Sequence, residues 1–289
     1  MSLKFPRRSA VAAVAAVAAM AALAVSMLTL AACTTAPANA PKTPTLTSAR
    51  IAEILASPDR SEADRRTDVR RKPQEVLAFI GVRPGMVALD LSAAGGYTTE
   101  LIARAVGPTG TVYGQSPPRP PVSHAAQSES GAAPRPAGVV RTPSPVALAE
   151  RAKNPGAANI VPLVQPFENP APPALASNGL DLVTMMFDYH DFGHLEVDRA
   201  AMNRAVFAAL KPGGIYVLAD HAGRSGTGIS ESGTLHRIEQ SFLVAEIEKA
   251  GFKYVGEGGF LRNPADPRDR NAPEPPQPKD QFIVKFVKP

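Results

Sequence analysis

The sequence of 289 residues contains no tryptophan and only one cysteine, Cys33. A single cysteine cannot form an intramolecular disulfide, so the class of small disulfide-rich secreted scaffolds is excluded. Hydrophobic residues make up 44% of the chain and charged residues 20%, which is the balance of a globular protein with a core. The composition therefore predicts a domain that is stabilised by packing rather than by covalent cross-links.

The chain also has no strong excess of one charge sign. Its formal net charge is +5, and three of the basic residues, Lys4, Arg7 and Arg8, precede position 33 in a segment without acidic residues. The rest of the chain is therefore closer to neutral, and the charge gives little support for nucleic-acid binding. We expect no nucleic-acid partner. Neighbouring basic residues such as Arg70 and Arg71 are interpreted as the solvated face of a helix.

Residues 1–32 have the pattern of an export signal. A basic start is followed by an apolar stretch, residues 10–30, and then by Leu30-Ala31-Ala32-Cys33. This tetrapeptide resembles the lipobox of bacterial lipoproteins, which implies lipidation of the Cys33 thiol and a domain anchored in the cell envelope, facing the periplasm. The stretch also approaches the roughly 20 residues that span a bilayer. Because it is rich in weakly apolar alanine, we prefer a removable signal to a permanent anchor.

The remaining chain predicts a flexible tether over residues 33–47 and one domain over residues 48–289. The domain alternates continuous apolar segments with amphipathic helical ones, which predicts a doubly wound α/β fold with a mostly parallel sheet covered on both faces. No helix separates the last two predicted strands, so we expect an antiparallel pair at one edge. A stretch rich in proline and alanine, residues 116–144, is interpreted as a surface insertion.

The most informative segment is Asp90-Leu91-Ser92-Ala93-Ala94-Gly95-Gly96. It joins a predicted strand to a predicted helix through small residues, which is the geometry of many nucleotide-binding turns. Glycine allows a close approach of the backbone to a ligand, and the start of the helix offers free amides. A tight turn without any ligand has the same local pattern, so this segment alone does not decide between the two.

Further motifs support a family resemblance. With Asp181-Leu182-Val183 in the fourth strand and Lys211-Pro212-Gly213-Gly214 before the fifth, the segment resembles the class I S-adenosylmethionine-dependent methyltransferases. A bacterial group of predicted methyltransferases shares still more short motifs, which here are Arg71-Lys72-Pro73, Gly95-Gly96-Tyr97, Tyr189-His190-Asp191, Asp220-His221 and Leu235-His236-Arg237. The resemblance runs from about residue 66 to the last residue, without the insertion. It implies a seven-stranded Rossmann-like sheet, S-adenosylmethionine as cofactor and methyl transfer to a small-molecule acceptor.

The resemblance also implies which residues contact the cofactor: Asp90, Ser92, Ala94, Gly96, Gln115, Phe167, Glu168 and Asp188. Ser92 and Ala94 depart from the family pattern, which has glycine at both positions. Gln115 stands where the family usually has an acidic residue that binds both ribose hydroxyls. These departures and the predicted export leave a second hypothesis open. The chain would then be a lipid-anchored envelope protein whose methyltransferase scaffold has lost or repurposed its cofactor site.

A second polar group follows the fourth and fifth predicted strands, at the edge where open α/β sheets bind ligands. It contains His190, Asp191, Asp220 and His221, and His236 is expected to lie nearby. Because imidazole titrates near neutral pH, His190 or His221 would remove a proton from the acceptor, with Asp191 or Asp220 orienting the ring. Such side chains also suit a divalent metal. The sequence lacks a zinc-type spacing, however, so no metal site is predicted.

Overall fold

The computed structural model describes residues 44–118 and 142–289. The predicted signal, Cys33 and most of the predicted tether and insertion lie outside the described residues. In the two described ranges, none of the helices is both long and apolar enough to cross a membrane.

Eight α-helices are present in the described ranges. Capping residues in the sequence set the start of several of them. For example, α2 begins after Ser61, whose hydroxyl accepts a hydrogen bond from Asp64 N at 3.1 Å. The helices are α1 Ser48–Ala56, α2 Glu62–Arg71, α3 Pro73–Ile80, α4 Tyr97–Val106, α5 Ser144–Arg151, α6 Arg199–Ala209, α7 Ser232–Leu235 and α8 Gln240–Lys249.

The strands form one seven-stranded sheet in the order β3-β2-β1-β4-β5-β7-β6. The first five strands are parallel, and β7 is antiparallel to both β5 and β6. This confirms the predicted fold class and the antiparallel pair at one edge. The strands are β1 Val87–Leu91, β2 Thr111–Ser116, β3 Ile160–Val164, β4 Leu180–Met186, β5 Leu210–His221, β6 Lys253–Gly258 and β7 Gln281–Val287.

The core lies on both faces of the sheet because successive strand residues point to opposite sides. One face packs against α1, α3, α4 and α5, and includes Ala88 and Leu182. The other face packs against α6 and α8, and includes Leu89 and Val183. Burial on both faces explains why the central strands are continuously apolar in sequence.

Two predicted boundaries differ from the structure. Leu46 N donates a hydrogen bond to Val82 O at 3.2 Å, and the Thr47 hydroxyl caps α1, so the end of the predicted tether belongs to the domain. β5 includes Asp220 and His221, which were expected to follow the strand, because they pair with Phe282 and Gln281 of β7. This pairing holds two candidate site residues inside the sheet.

Candidate functional site

The two candidate groups lie at the same edge of the sheet, where the parallel strands end. The turn after β1 carries the cofactor motif, and the ends of β4 and β5 carry the histidines and aspartates. β1 and β4 are neighbours, with β2 and β3 continuing on one side and β5 on the other. This is the point at which the strand order reverses, and open α/β sheets bind ligands in the crevice there.

The turn between β1 and α4 has the backbone shape of a glycine-rich loop although two motif positions carry side chains. Ser92, Ala94 and Gly96 have positive φ angles of 53°, 45° and 80°. Glycine adopts this left-handed backbone conformation readily, whereas for other residues it costs roughly 1–2 kcal/mol each. A Cβ atom on Gly96 would lie 2.7 Å from Leu148 Cδ2. Glycine is therefore required at position 96, while Ser92 and Ala94 adopt the glycine conformation at a cost.

Asp90 is buried below this turn rather than exposed at its surface. Its carboxylate accepts hydrogen bonds from the Thr99 hydroxyl at 2.6 Å and the Thr184 hydroxyl at 2.8 Å. Burial raises the pKa of Asp90 to about 6. Asp90 thus joins β1 to α4 and β4, and it shapes the candidate cofactor turn from the interior.

Gln115 is completely buried, and its amide is directed to the protein backbone. Its Oε1 accepts a hydrogen bond from Ser92 N at 3.0 Å, and its Nε2 donates one to Gln165 O at 2.7 Å. The side chain thereby ties the turn after β1 to the segment after β3. This position differs from the expected one, in which Gln115 would face the ribose, because the amide bonds hold it inward.

The two residues expected beside the adenine are placed differently from each other. The Phe167 ring is buried against Phe192, with their centroids 4.4 Å apart. Glu168 is exposed, and its Oε1 lies 3.3 Å from Asp198 N. Phe167 is therefore mainly a core residue in this conformation, whereas Glu168 remains accessible.

Asp220 is the centre of the histidine and aspartate cluster. Its fully buried carboxylate accepts hydrogen bonds from His190 N at 2.9 Å, from His190 Nδ1 at 2.6 Å and from His221 N at 2.7 Å. The other ring nitrogen of His190, Nε2, lies 3.0 Å from Asp191 Oδ1. The structure thus brings together three of the four predicted catalytic side chains and gives His190 two carboxylate neighbours.

Burial and the charges within the cluster shift the pKa values of its side chains. Burial acts to lower the pKa of His190, but the carboxylates of Asp220 and Asp191 outweigh it and raise the pKa to about 10. Burial likewise acts to raise the pKa of Asp191, and its contacts with His190 and His236 bring it below its ordinary value. Burial raises the pKa of Asp188 to about 7.

His221 is placed apart from the carboxylates. Its Nδ1 lies 3.2 Å from Gln281 Nε2, and its ring lies tilted against those of Phe187 and His190 at centroid distances of 5.6 and 5.4 Å. Burial and nearby positive charges lower its pKa well below the ordinary value. Asp220 contacts the backbone amide of His221 but not its imidazole. The expected orientation of the His221 ring by Asp220 is therefore not observed.

Two further histidines join the cluster. His236 Nδ1 lies 2.9 Å from Asp191 Oδ1, as the sequence interpretation expected of this residue. Its backbone has a positive φ of 50°, a strained conformation of the kind that often occurs at functional positions. His194 lies next to His236 but is joined through Nδ1 to the Ser232 hydroxyl at 2.9 Å.

The sequence analysis missed a role for Arg71. Its guanidinium carbon lies 3.6 Å from the centre of the Phe187 ring, and its buried Nη1 has no hydrogen-bond partner. Burial lowers the pKa of Arg71 to about 9, while the negative charges of Asp188 and Asp220 oppose this change. The interpretation of Arg71 as part of a solvated face is wrong. The motif Arg71-Lys72-Pro73 was the available signal, but it did not show where the side chain points.

Comparison of the whole chain with known proteins addresses the fold. No family model matches the sequence, and no curated protein matches it significantly. A methyltransferase from Aquifex aeolicus that depends on S-adenosylmethionine has a similar structure. It is 18% identical, the match covers 84% of this chain and all of that chain, and the TM-score is 0.51.

Two further solved structures are similar at lower scores. An arsenic(III) S-adenosylmethionine methyltransferase from Chlamydomonas reinhardtii is 16% identical over 83% of this chain and 73% of that chain, with a TM-score of 0.49. Fibrillarin from Aeropyrum pernix with bound S-adenosylmethionine is 19% identical over 71% and 68%, with a TM-score of 0.43. At sequence identities this low, structural similarity is evidence for the fold alone. With the strand order, the Aquifex structure shows that the described chain has the class I methyltransferase fold.

Proposed function

We propose that this protein is an S-adenosylmethionine-dependent methyltransferase that acts on a small-molecule acceptor. The observation that carries the proposal is the turn after β1. It keeps positive φ at all three motif positions and lies at the strand-order reversal beside a polar cluster. A turn without a ligand has no need for the strained backbone at Ser92 and Ala94, since either residue is more stable in an ordinary conformation.

The cofactor half of the site contains the guanidinium group of Arg71, and one of its nitrogens has no hydrogen-bond acceptor. Arg71 Nη1 is buried and unpaired beside the motif turn, and a carboxylate is the natural ligand for such a group. The methionine end of S-adenosylmethionine carries a carboxylate, so the residues present fit this part of the cofactor. When bound, the cofactor would supply a methyl group on a sulfonium centre: the acceptor nucleophile would form a bond to the methyl carbon, and S-adenosylhomocysteine would leave with the electron pair of the broken S–C bond. Glu168 is the accessible residue on the adenine side.

The acceptor half is formed by the cluster at the ends of β4 and β5. Asp220 fixes the His190 ring through Nδ1, so Nε2 is the atom that faces the rest of the cluster. A fixed imidazole between two carboxylates can bind and orient a polar acceptor and can exchange a proton with it. Ser92 lies between the halves, since it belongs to the motif turn and its side chain acts against the burial that raises the pKa of Asp188.

Calorimetric titration of the full-length protein with S-adenosylmethionine and S-adenosylhomocysteine tests the proposal. We expect a one-to-one complex. Loss of the charge-assisted bonds in Arg71→Gln should weaken it about 10- to 100-fold, for a loss of about 1.5–3 kcal/mol. Arg66→Gln is the matched control on the same helix, since Arg66 is exposed and paired only loosely with Glu62 at 3.7 Å. The absence of binding at millimolar ligand would contradict the proposal and favour a scaffold with a lost cofactor site.

The acceptor half has its own test. Formation of S-adenosylhomocysteine with a panel of hydroxyl, carboxyl and amine acceptors should identify the substrate class. His190→Ala should then lower the rate by about 100-fold, as is usual when a positioned proton-transfer group is removed. If His190→Ala retains the full rate with every acceptor, the cluster does not take part in the reaction.

We also propose that the chain is exported and anchored by a lipid on Cys33. The supporting observation is the sequence Leu30-Ala31-Ala32-Cys33 after an apolar stretch. Expression in bacteria with a radiolabelled fatty acid should label the wild-type chain in the membrane fraction, and Cys33→Ser should carry no label. Labelling of the Cys33→Ser variant, or no labelling of either chain, would refute the anchor.

A further inference from the structure

Three side chains of the cluster direct ligand atoms to one small space. Asp191 Oδ1 lies 3.0 Å from His190 Nε2 and 2.9 Å from His236 Nδ1, and one ligand atom from each of the three residues lies within 4.8 Å of the others. A metal ion with bonds of about 2.1 Å to nitrogen and oxygen holds adjacent ligands about 3.0 Å apart in octahedral and about 3.4 Å apart in tetrahedral geometry. The two separations from Asp191 Oδ1 match the octahedral value. Two imidazoles and one carboxylate also form a donor set that suits zinc, iron, nickel or copper.

The environment of His190 is a second, independent sign. Its Nε2 is buried and makes no hydrogen bond of good geometry, although Asp191 Oδ1 is only 3.0 Å away. Its other ring nitrogen, Nδ1, is bonded to the buried carboxylate of Asp220 at 2.6 Å. Histidines that bind metals almost always donate their second nitrogen to a carboxylate or a carbonyl, which fixes the ring and leaves the first nitrogen free for the metal. His190 has this arrangement.

His236 completes the set from another part of the chain. Its positive φ of 50° ends α7 and places the ring against Asp191 and, at a centroid distance of 5.7 Å, against His190. A strained backbone of this kind persists where the surroundings require it. The ligands come from an adjacent pair and from a residue 45 positions later. The three ligands therefore do not form a short zinc-type spacing in the sequence.

We infer that His190, Asp191 and His236 bind one divalent transition-metal ion, for which Zn²⁺ is the test ion. Asp220 is a positioning residue that holds the His190 ring. Three protein ligands leave coordination positions for oxygen or nitrogen atoms of a bound molecule. The inference goes beyond the proposed methyl transfer and does not depend on it, because metal binding requires only the three ligands. With a metal on His190 Nε2, that atom would hold the metal instead of exchanging a proton with the acceptor.

The test uses the full-length protein, first freed of metal with a chelator and then dialysed against Zn²⁺. Metal analysis should find one zinc per chain, and competition with a chelating dye gives the affinity. Removal of a ligand in His236→Gln should weaken binding by more than about 100-fold, and Asp220→Asn by about 10- to 100-fold. Glu53→Gln is the control, since Glu53 is exposed on α1 and paired only with Arg50, and it should bind as the wild type does.

Two results would overturn the inference. One is a wild-type protein that holds less than a tenth of a zinc ion per chain after dialysis, which would identify a purely hydrogen-bonded cluster. The other is an equal loss of affinity in Glu53→Gln and His236→Gln. Circular dichroism of each variant shows that it is folded, and the absorption bands of bound Co²⁺ report the ligand set directly. Calorimetry with S-adenosylmethionine on the metal-free protein gives a separate result, so failure of either proposal is seen on its own.

Discussion

Ala94→Gly is expected to stabilise the protein, although a glycine replacement usually destabilises one. Ala94 has a φ of 45°, a region that costs a residue with a Cβ roughly 1–2 kcal/mol. Glycine removes this cost but increases the conformational freedom of the unfolded chain by roughly 0.4–1 kcal/mol. The net effect is a gain of about 0.5–1 kcal/mol in the free energy of unfolding. The same change should strengthen S-adenosylmethionine binding, because it widens the space above the turn.

Ala93→Gly is the matched control for this prediction. Ala93 is the preceding residue, is nearly buried in the core and is not among the residues with positive φ. Its replacement loses a buried methyl group, worth about 0.8 kcal/mol, together with the same unfolded-state entropy, for a net loss of about 1.5 kcal/mol. Urea unfolding followed by far-ultraviolet circular dichroism measures both variants, since the chain has no tryptophan for fluorescence. If Ala94→Gly loses as much stability as Ala93→Gly, the strained turn is not a property of the protein in solution.

Three further variants test other parts of the structure by the same unfolding assay. Gly96→Ala should lower the free energy of unfolding by about 2–3 kcal/mol, because the φ of Gly96 is 80° and the new Cβ would meet Leu148. Gly95→Ala should be nearly neutral, since no atom lies within 4 Å of a Cβ at that position. Equal effects of the two variants would contradict the strain assigned to Gly96. The pKa of Asp90 is raised by burial from 3.8 to about 6, so the stability linked to its protonated form is complete below about pH 4 and is lost as the pH rises through about 6. Asp90→Asn should therefore gain about 3 kcal/mol relative to the wild type between pH 4 and pH 7, and a difference that does not change with pH would refute the assignment. Asp266→Ala should cost about 3–5 kcal/mol because it leaves the fully buried Arg237 guanidinium without its carboxylate 2.9 Å away. Glu53→Ala, which breaks an exposed pair with Arg50, should cost less than about 1 kcal/mol, and a similar loss in both would argue against burial as the cause.

The architecture could be predicted from the sequence because it follows from local patterns. The alternation of continuous apolar segments with amphipathic helical ones predicted the mostly parallel sheet, and the lack of a helix between the last two predicted strands indicated their antiparallel pairing. The same patterns located the candidate residues at one edge, since parallel strands end together. The end of β5 was placed too early because pairing with β7, a segment about 60 positions later, holds Asp220 and His221 in the sheet.

Side-chain direction is the part that sequence patterns do not contain. The sequence left open whether Asp191 or Asp220 orients the ring of His190 or His221, and in the structure Asp220 bonds the imidazole of His190, which lies 30 positions earlier. Arg71 was assigned to solvent because its neighbours are basic. Its actual position depends on the left-handed turn at Lys72, with a φ of 48°, and on the Phe187 ring beneath it. Such contacts are decided by packing between distant segments.

The replacement of glycine at position 92 illustrates how a departure from a motif can be a gain. A serine there weakens the case for cofactor binding when only the sequence is considered, because its side chain occupies space beside the turn. In the structure its backbone amide donates a hydrogen bond to Gln115 Oε1 at 3.0 Å, and its side chain acts against the burial that raises the pKa of Asp188, which follows β4. A glycine could keep the hydrogen bond but not the effect on Asp188. Ser92 therefore couples the motif turn to the titration of a carboxyl that interacts with the histidine and aspartate cluster.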